Sequence, residues 1–214
     1  MLSLYLAELP DAGEEHIEEI LDMLPPASRD KALSRKGRAA ALTALGELIR
    51  IRMMESAGAG YEVAYGEHGK PYSPGRRDVA FSISHSGRAA AGALLVGGGD
   101  IGIDIERIDR ENDVRHERIA RRFYTDAERA AIASSDDRAA AFYTVWTRKE
   151  SYLKYTGDGI TRPLSDIDTE HLQDVVQHSR IITAAGGEYA LSLTIPACIA
   201  GSAGIDSIEI DKIY

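Results

Sequence analysis

The sequence predicts an α+β protein. Strand-like and helix-like blocks are interspersed along its 214 residues, and several strand-like blocks are joined by hairpin-length turns. The glycine signature of a doubly wound nucleotide-binding sheet, G-x-G-x-x-G after a strand, does not occur, and neither does a Walker-type phosphate loop.

Residues 2–8 alternate Leu2, Leu4 and Leu6 against Ser3, Tyr5 and Ala7, the pattern of a half-buried strand. Ile17, Ile20, Leu21 and Leu24 then form one helical stripe, which Pro25 and Pro26 end. A basic run at 28–38 holds Arg29, Lys31, Arg35, Lys36 and Arg38; it fits a solvated helix face or an anion site. A long helix is expected over 38–55, with Leu42, Leu45, Ile49 and Met53 inward and Gly58 and Gly60 as its stop. Residues 61–65 look like a strand, and the glycines and prolines of 68–75 mark a loop.

Residues 79–84 read as a strand with Phe81 and Ile83 on one side, and the apolar run 89–96 as a buried strand. Gly97 to Gly99 is the only triple glycine and the best candidate for a boundary between a segment 1–98 and a segment 99–214. A strand follows at 100–106, then helix near 115–123. Thr125 and Glu128 have capping-box spacing, which places a helix start at 126. A further helix spans 137–155, ended by Gly157 and Gly159. The last 50 residues read as strands and turns, clearest at 189–195 and 208–213.

The formal charge of −9 argues against nucleic acid and anionic membrane as partners. A single cysteine, Cys198, excludes an intrachain disulfide and a cysteine-rich zinc site, and fits a cytoplasmic location. The first residues have neither the basic region nor the long apolar core of a signal peptide, and no run of 18 apolar residues occurs.

The chemistry concentrates in a few places. In WTRKESYLK (146–154), Glu150 and Lys154 stand four apart, on one face of the expected helix; a surface ion pair would have the same spacing. Asp104 and Glu106 point to one face of their strand while Ile101, Ile103 and Ile105 point to the other. Two neighbouring carboxylates repel unless water screens them or a cation lies between them. An oxygen-only set of Asp104, Glu106 and Glu150 would suit Mg²⁺, with Mn²⁺ as the alternative, and leave coordination sites for a phosphate. Ser84, His85 and Ser86 could supply donors to a phosphate, and Lys70 could add charge from its loop. No G-x-S-x-G elbow surrounds either serine, which weighs against a hydrolase.

Five segments together, GKPYSP (69–74), FSISHSG (81–87), IGIDIE (101–106), RRFYTDAE (121–128) and WTRKESYLKYTGDG (146–159), resemble the 4′-phosphopantetheinyl transferases of the surfactin (Sfp) type. The resemblance implies a pseudo-dimer of two similar α+β halves, with the active site in the cleft between them. It also implies transfer of the phosphopantetheine arm of coenzyme A to a serine of an acyl or peptidyl carrier protein, with release of 3′,5′-ADP. Asp104, Glu106 and Glu150 match the family's magnesium ligands, and Lys154 matches a lysine near the transferred phosphate. Lys70, Ser84 and His85 match groups that bind the phosphates of coenzyme A. Glu150 is the candidate base, with Lys154 and His85 beside it in catalysis.

Relatives usually carry a basic residue one turn before the glycine that here is Gly46, where this chain has Leu42. Arg38 and Arg35 are the candidates to hold the 3′-phosphate instead. Carrier proteins are usually acidic around their serine, so docking on a −9 protein calls for a local basic patch. Arg115, Arg118 and Arg122 share one helix face, with Arg121 beside them. Both halves of the implied site lie in one chain, which points to a monomer. The alternative is a coenzyme-A-binding protein without transferase activity.

Overall fold

The structure is a computed structural model that describes residues 1–9, 15–159, 162–200 and 210–213. The chain runs through β1 (Leu2–Glu8), α1 (Glu15–Asp22), α2 (Pro26–Leu33), α3 (Gly37–Ala57), β2 (Ala64–Tyr65), β3 (Pro71–Tyr72), β4 (Val79–Ser86) and β5 (Ala89–Val96). It continues through β6 (Gly102–Arg107), α4 (Asp113–Phe123), α5 (Asp126–Ser134), α6 (Arg138–Thr156), β7 (Val175–Ala184), β8 (Gly187–Pro196), α7 (Ala197–Ala200) and β9 (Ile210–Lys212). The expected α+β class is borne out.

Two antiparallel hairpins give the sheets their frames. β4 and β5 pair from Val79↔Val96 to Ser86↔Ala89, and β5 pairs β1 on its other side. β9 adds to β1 in parallel, giving the order β4-β5-β1-β9. Residues from beyond 99 therefore complete a sheet built otherwise from the first 96. The second sheet has the order β6-β8-β7.

Strand alternation sorts the side chains into two cores. Phe81, Ala90 and Leu94 face α1–α3, packing on Ile20, Leu21, Leu45, Ile49 and Met53. Leu4, Leu6, Ala91, Ala93 and Leu95 face the second sheet and meet Ile101, Ile103, Ile105, Leu191, Leu193 and Ile195. The layers are therefore helices, sheet, sheet, helices, with α6 on the outer face of β6 and β8.

The helix boundaries follow their local chemistry. Gly58 ends α3 in the left-handed conformation at φ 60, and Gly157 ends α6 at φ 76. The capping box is formed: Thr125 Oγ accepts the Glu128 N–H while Glu128 accepts the Thr125 N–H. Pro26 opens α2, where its missing N–H costs nothing, so the proline pair separates two helices.

Three expectations need correction. Leu42 is only half-buried, because the inward stripe of α3 runs through Ala41, Ala44, Leu45 and Leu48. The strand at 61–65 shrinks to Ala64–Tyr65, which pairs with a strand inside the expected loop. Of the strand at 208–213, residues 208 and 209 lie outside the described residues and 210–212 form β9.

Candidate active site

The site begins with a glycine. A Cβ on Gly102 would lie 1.9 Å from the Ser151 carbonyl oxygen and 2.5 Å from the Tyr155 nitrogen, so only glycine lets α6 lie this close to β6. Small hydroxyl residues make the same helix fit β8: Thr147 pairs with Ser192 at 2.7 Å and Ser151 with Thr194 at 2.8 Å. Thr147 and Ser151 define the inner stripe, so the next positions round the helix, Glu150 and Lys154, fall beside the outward face of β6.

That face carries Asp104 and Glu106. Lys154 Nζ lies 2.7 Å from Asp104 Oδ1, and the Ser84 hydroxyl donates to the same oxygen at 2.7 Å. Asp104 Oδ2 is buried with no hydrogen-bond partner. The Ser86 hydroxyl donates to Glu106 Oε2 at 2.5 Å. Burial pushes the Glu106 carboxyl up to about 7, and the charges of Asp104 and Glu150 add to that rise. Glu150 is also raised, by burial first and then by Asp104. The three carboxylates therefore share one field and lack enough positive charge to balance it.

A divalent cation fits this set on two counts: it would supply the missing charge and a partner for Asp104 Oδ2. As the side chains are placed, no group of three or more His, Cys, Asp or Glu among the described residues is arranged to hold a metal ion, and the Lys154 ammonium rests on Asp104.

His85 sits one position from each of these serines, so its ring leaves β4 on the other side. His85 is exposed at the end of β4, and partial desolvation together with the Lys154 charge holds its pKa below the ordinary histidine range. Since Ser84 and Ser86 give their protons to carboxylates and His85 faces away from them, the residues do not form a hydrolytic pair.

Two cavities flank the carboxylates. One of about 590 Å³ is lined by Lys70, Ile83, Trp146, Glu150, Lys154 and Arg162, among others. Lys70 reaches across its mouth to Asp100, at 2.6 Å, and to the Tyr155 carbonyl at the end of α6. The other, of about 1000 Å³, is lined by Arg38, Glu106, Arg115, His116, Tyr143 and Trp146, among others. Of the two arginine candidates, Arg38 thus reaches a cavity that Glu106 also lines, whereas Arg35 is exposed between α2 and α3 and lines neither. Arg115, Arg118, Arg121 and Arg122 are all exposed on α4.

Two features escaped the sequence reading. Lys149, next to Glu150, is fully buried and pairs with equally buried Glu128 at 2.8 Å. Lys149 also donates to the Leu164 and Ile167 carbonyls, and Glu128 accepts from the Thr169 N–H and hydroxyl. This pair ties α6 to the start of α5 and to the segment that walls the smaller cavity at Leu164. The second is Trp146, which lines both cavities. The charged run KESYLK gives no cue to a buried lysine, because its partner lies 21 residues away in the capping box.

The sequence of one segment is similar to a known superfamily. Residues 100–194 match the model of the 4′-phosphopantetheinyl transferase superfamily. The matched segment runs from just before β6 into β8 and contains Asp104, Glu106, Glu150 and Lys154. Particular relatives narrow the class. The chain is 36% identical over 110 residues to 4′-phosphopantetheinyl transferase Sfp of Bacillus subtilis (strain 168), covering 50% of this chain and 46% of the relative. It is 35% identical over 132 residues to another Bacillus subtilis 4′-phosphopantetheinyl transferase, covering 59% and 56%. With 4′-phosphopantetheinyl transferase gsp of Aneurinibacillus migulanus it shares 28% over 186 residues, covering 82% and 75%. The chain spans about half the length of the first two relatives. The motifs at 101–106, 121–128 and 146–159 fall inside the matched segment, whereas GKPYSP (69–74) and FSISHSG (81–87) lie before it.

Proposed function

We propose that this protein is a magnesium-dependent 4′-phosphopantetheinyl transferase that converts apo carrier proteins to their holo form. The single observation that carries the reading is the convergence of Asp104, Glu106 and Glu150 beside Lys154, with Asp104 Oδ2 buried and unpartnered. A protein that only held coenzyme A would gain nothing from so costly a cluster of carboxylates.

In this reading Asp104, Glu106 and Glu150 hold Mg²⁺, or Mn²⁺ in its place. The metal would supply charge stabilisation at the pyrophosphate oxygens. Lys154 neutralises charge that builds on the transferred phosphate, Lys70 and His85 bind the phosphates of coenzyme A, and Ser84, whose proton goes to Asp104, acts through that carboxylate. Arg38 is the favoured contact for the 3′-phosphate, since it lines a cavity beside Glu106. The carrier serine oxygen attacks the phosphorus bearing pantetheine. Its proton passes to Glu150, and the phosphorus–oxygen bond to 3′,5′-ADP breaks. Residues 1–98 and 99–214 act as the two halves of a pseudo-dimer, the first for the nucleotide and the second for the metal. The protein works as a cytoplasmic monomer. Among the described residues, no helix is long and apolar enough to cross a membrane.

The carrier docks on the arginine face of α4. Val114, 83% exposed, lies beside Arg115 and Arg118 and offers an apolar contact inside a basic rim.

The test is release of 3′,5′-ADP from coenzyme A in the presence of an apo carrier. Wild type should release it and Glu150→Gln should not, with its circular dichroism spectrum unchanged. Full turnover by the variant would remove Glu150 from the mechanism. Binding of coenzyme A with no release by wild type would favour the non-catalytic binder.

A further inference from the structure

Serines occupy every second position at the end of β4: Ser82, Ser84 and Ser86. A strand turns alternate side chains to one face, and here that face meets β6. β4 is the edge of one sheet and β6 the edge of the other, and no backbone ladder joins them. The serine hydroxyls make the connection instead. Ser82 Oγ accepts the Ile103 N–H at 3.1 Å, and Ser84 Oγ donates to Asp104 at 2.7 Å. Ser86 does both, accepting the Arg107 N–H at 3.1 Å and donating to Glu106 Oε2 at 2.5 Å.

The double role of Ser86 fixes the direction of its hydroxyl. A backbone N–H can only donate, so it occupies a lone pair on Ser86 Oγ. The one hydroxyl proton is then committed to Glu106. This pins one carboxylate oxygen to the first sheet and leaves the other for a ligand. Gly87, next along at φ 58, lets the turn after Ser86 pack closely: a Cβ there would lie 2.8 Å from the Tyr189 hydroxyl and 2.9 Å from Arg107 Cδ.

We propose that Ser86 is a positioning residue for the divalent cation, orienting Glu106 as a ligand across the seam between the two sheets. The inference rests on the metal reading above and assigns Ser86 no contact with coenzyme A. Groups that orient metal ligands typically contribute about 10–100-fold to affinity.

The measurement is Mn²⁺ affinity by electron paramagnetic resonance, with coenzyme A present, for wild type, Ser86→Ala, Ser86→Thr and Ser82→Ala. Ser86→Ala should weaken Mn²⁺ by about 10–100-fold. Ser86→Thr, which keeps the hydroxyl, should restore it. Ser82→Ala breaks the seam without touching a carboxylate, and should lower the melting temperature while leaving Mn²⁺ affinity near wild type. If Ser86→Ala fails to fold, Ser86→Cys takes its place, since a thiol is a weak donor. Unchanged affinity in these Ser86 variants, with lowered melting alone, would make Ser86 a structural tie and overturn the proposal. A wild type that binds no Mn²⁺ would overturn the metal reading itself and this proposal with it.

Discussion

Asp104 Oδ1 accepts from both Lys154 and Ser84, each at 2.7 Å, while its second oxygen is buried without a partner. One carboxylate thus joins β4, β6 and α6 and still has unsatisfied acceptor capacity. Lys154 cannot balance three carboxylates alone, and this deficit sets the chemistry of the site.

The geometry depends on Gly102. Gly102→Ala puts a methyl within 1.9 Å of the Ser151 carbonyl oxygen, where a rigid helix backbone must move. The expected cost is at or above the about 1–3 kcal/mol typical of overpacking, with loss of transfer as Glu150 and Lys154 retreat from Asp104. Chemical denaturation and a transfer assay check both; wild-type stability would show that α6 has room.

Lys149 and Glu128 form a second, structural ion pair. Lys149→Met leaves Glu128 buried without its cation, which should cost about 3–5 kcal/mol and lower the melting temperature by on the order of 10 °C. Adding Glu128→Gln should recover part of the loss, because no uncompensated charge remains. Calorimetry of the single and double variants reads this directly.

The raised carboxyl of Glu106 predicts a pH dependence in metal-free protein. Its proton is held more tightly in the folded state, with a pKa of about 7 against an ordinary 4.5. The associated stability is therefore complete below about pH 4.5 and is lost as pH rises to about 7. At most about 3 kcal/mol is involved. Glu106→Gln should flatten this part of the profile. Parallel denaturation profiles for wild type and variant from pH 4.5 to 8 would contradict the assignment. Where Mg²⁺ binds, affinity should rise over the same interval, because the ligand must lose its proton.

Arg115→Glu combined with Arg118→Glu should raise KM for an acidic carrier by about tenfold or more, with little change in kcat. Added salt should weaken the wild type and narrow the difference between the two proteins. An unchanged KM would move carrier docking elsewhere.

Much of the site was legible because it obeys short-range rules. Alternation put Asp104 and Glu106 on one face, helical spacing put Glu150 beside Lys154, and the capping box named the start of α5. What escaped depends on tertiary contact. The burial of Lys149 rests on Glu128 and on carbonyls at 164 and 167. The seam role of Ser82 and Ser86 had a local signal, serines two apart on a strand, but its meaning needed β6 alongside. β2 and β3 are two residues each, too short for a periodic pattern.

The most direct measurement is the intact mass of an apo carrier protein incubated with this protein, coenzyme A and Mg²⁺, beside an EDTA control. The expected result is a gain of one phosphopantetheinyl group that disappears with EDTA. No gain on several unrelated carriers, while coenzyme A still binds, would contradict transfer; a gain that survives EDTA would contradict the metal role of Asp104, Glu106 and Glu150.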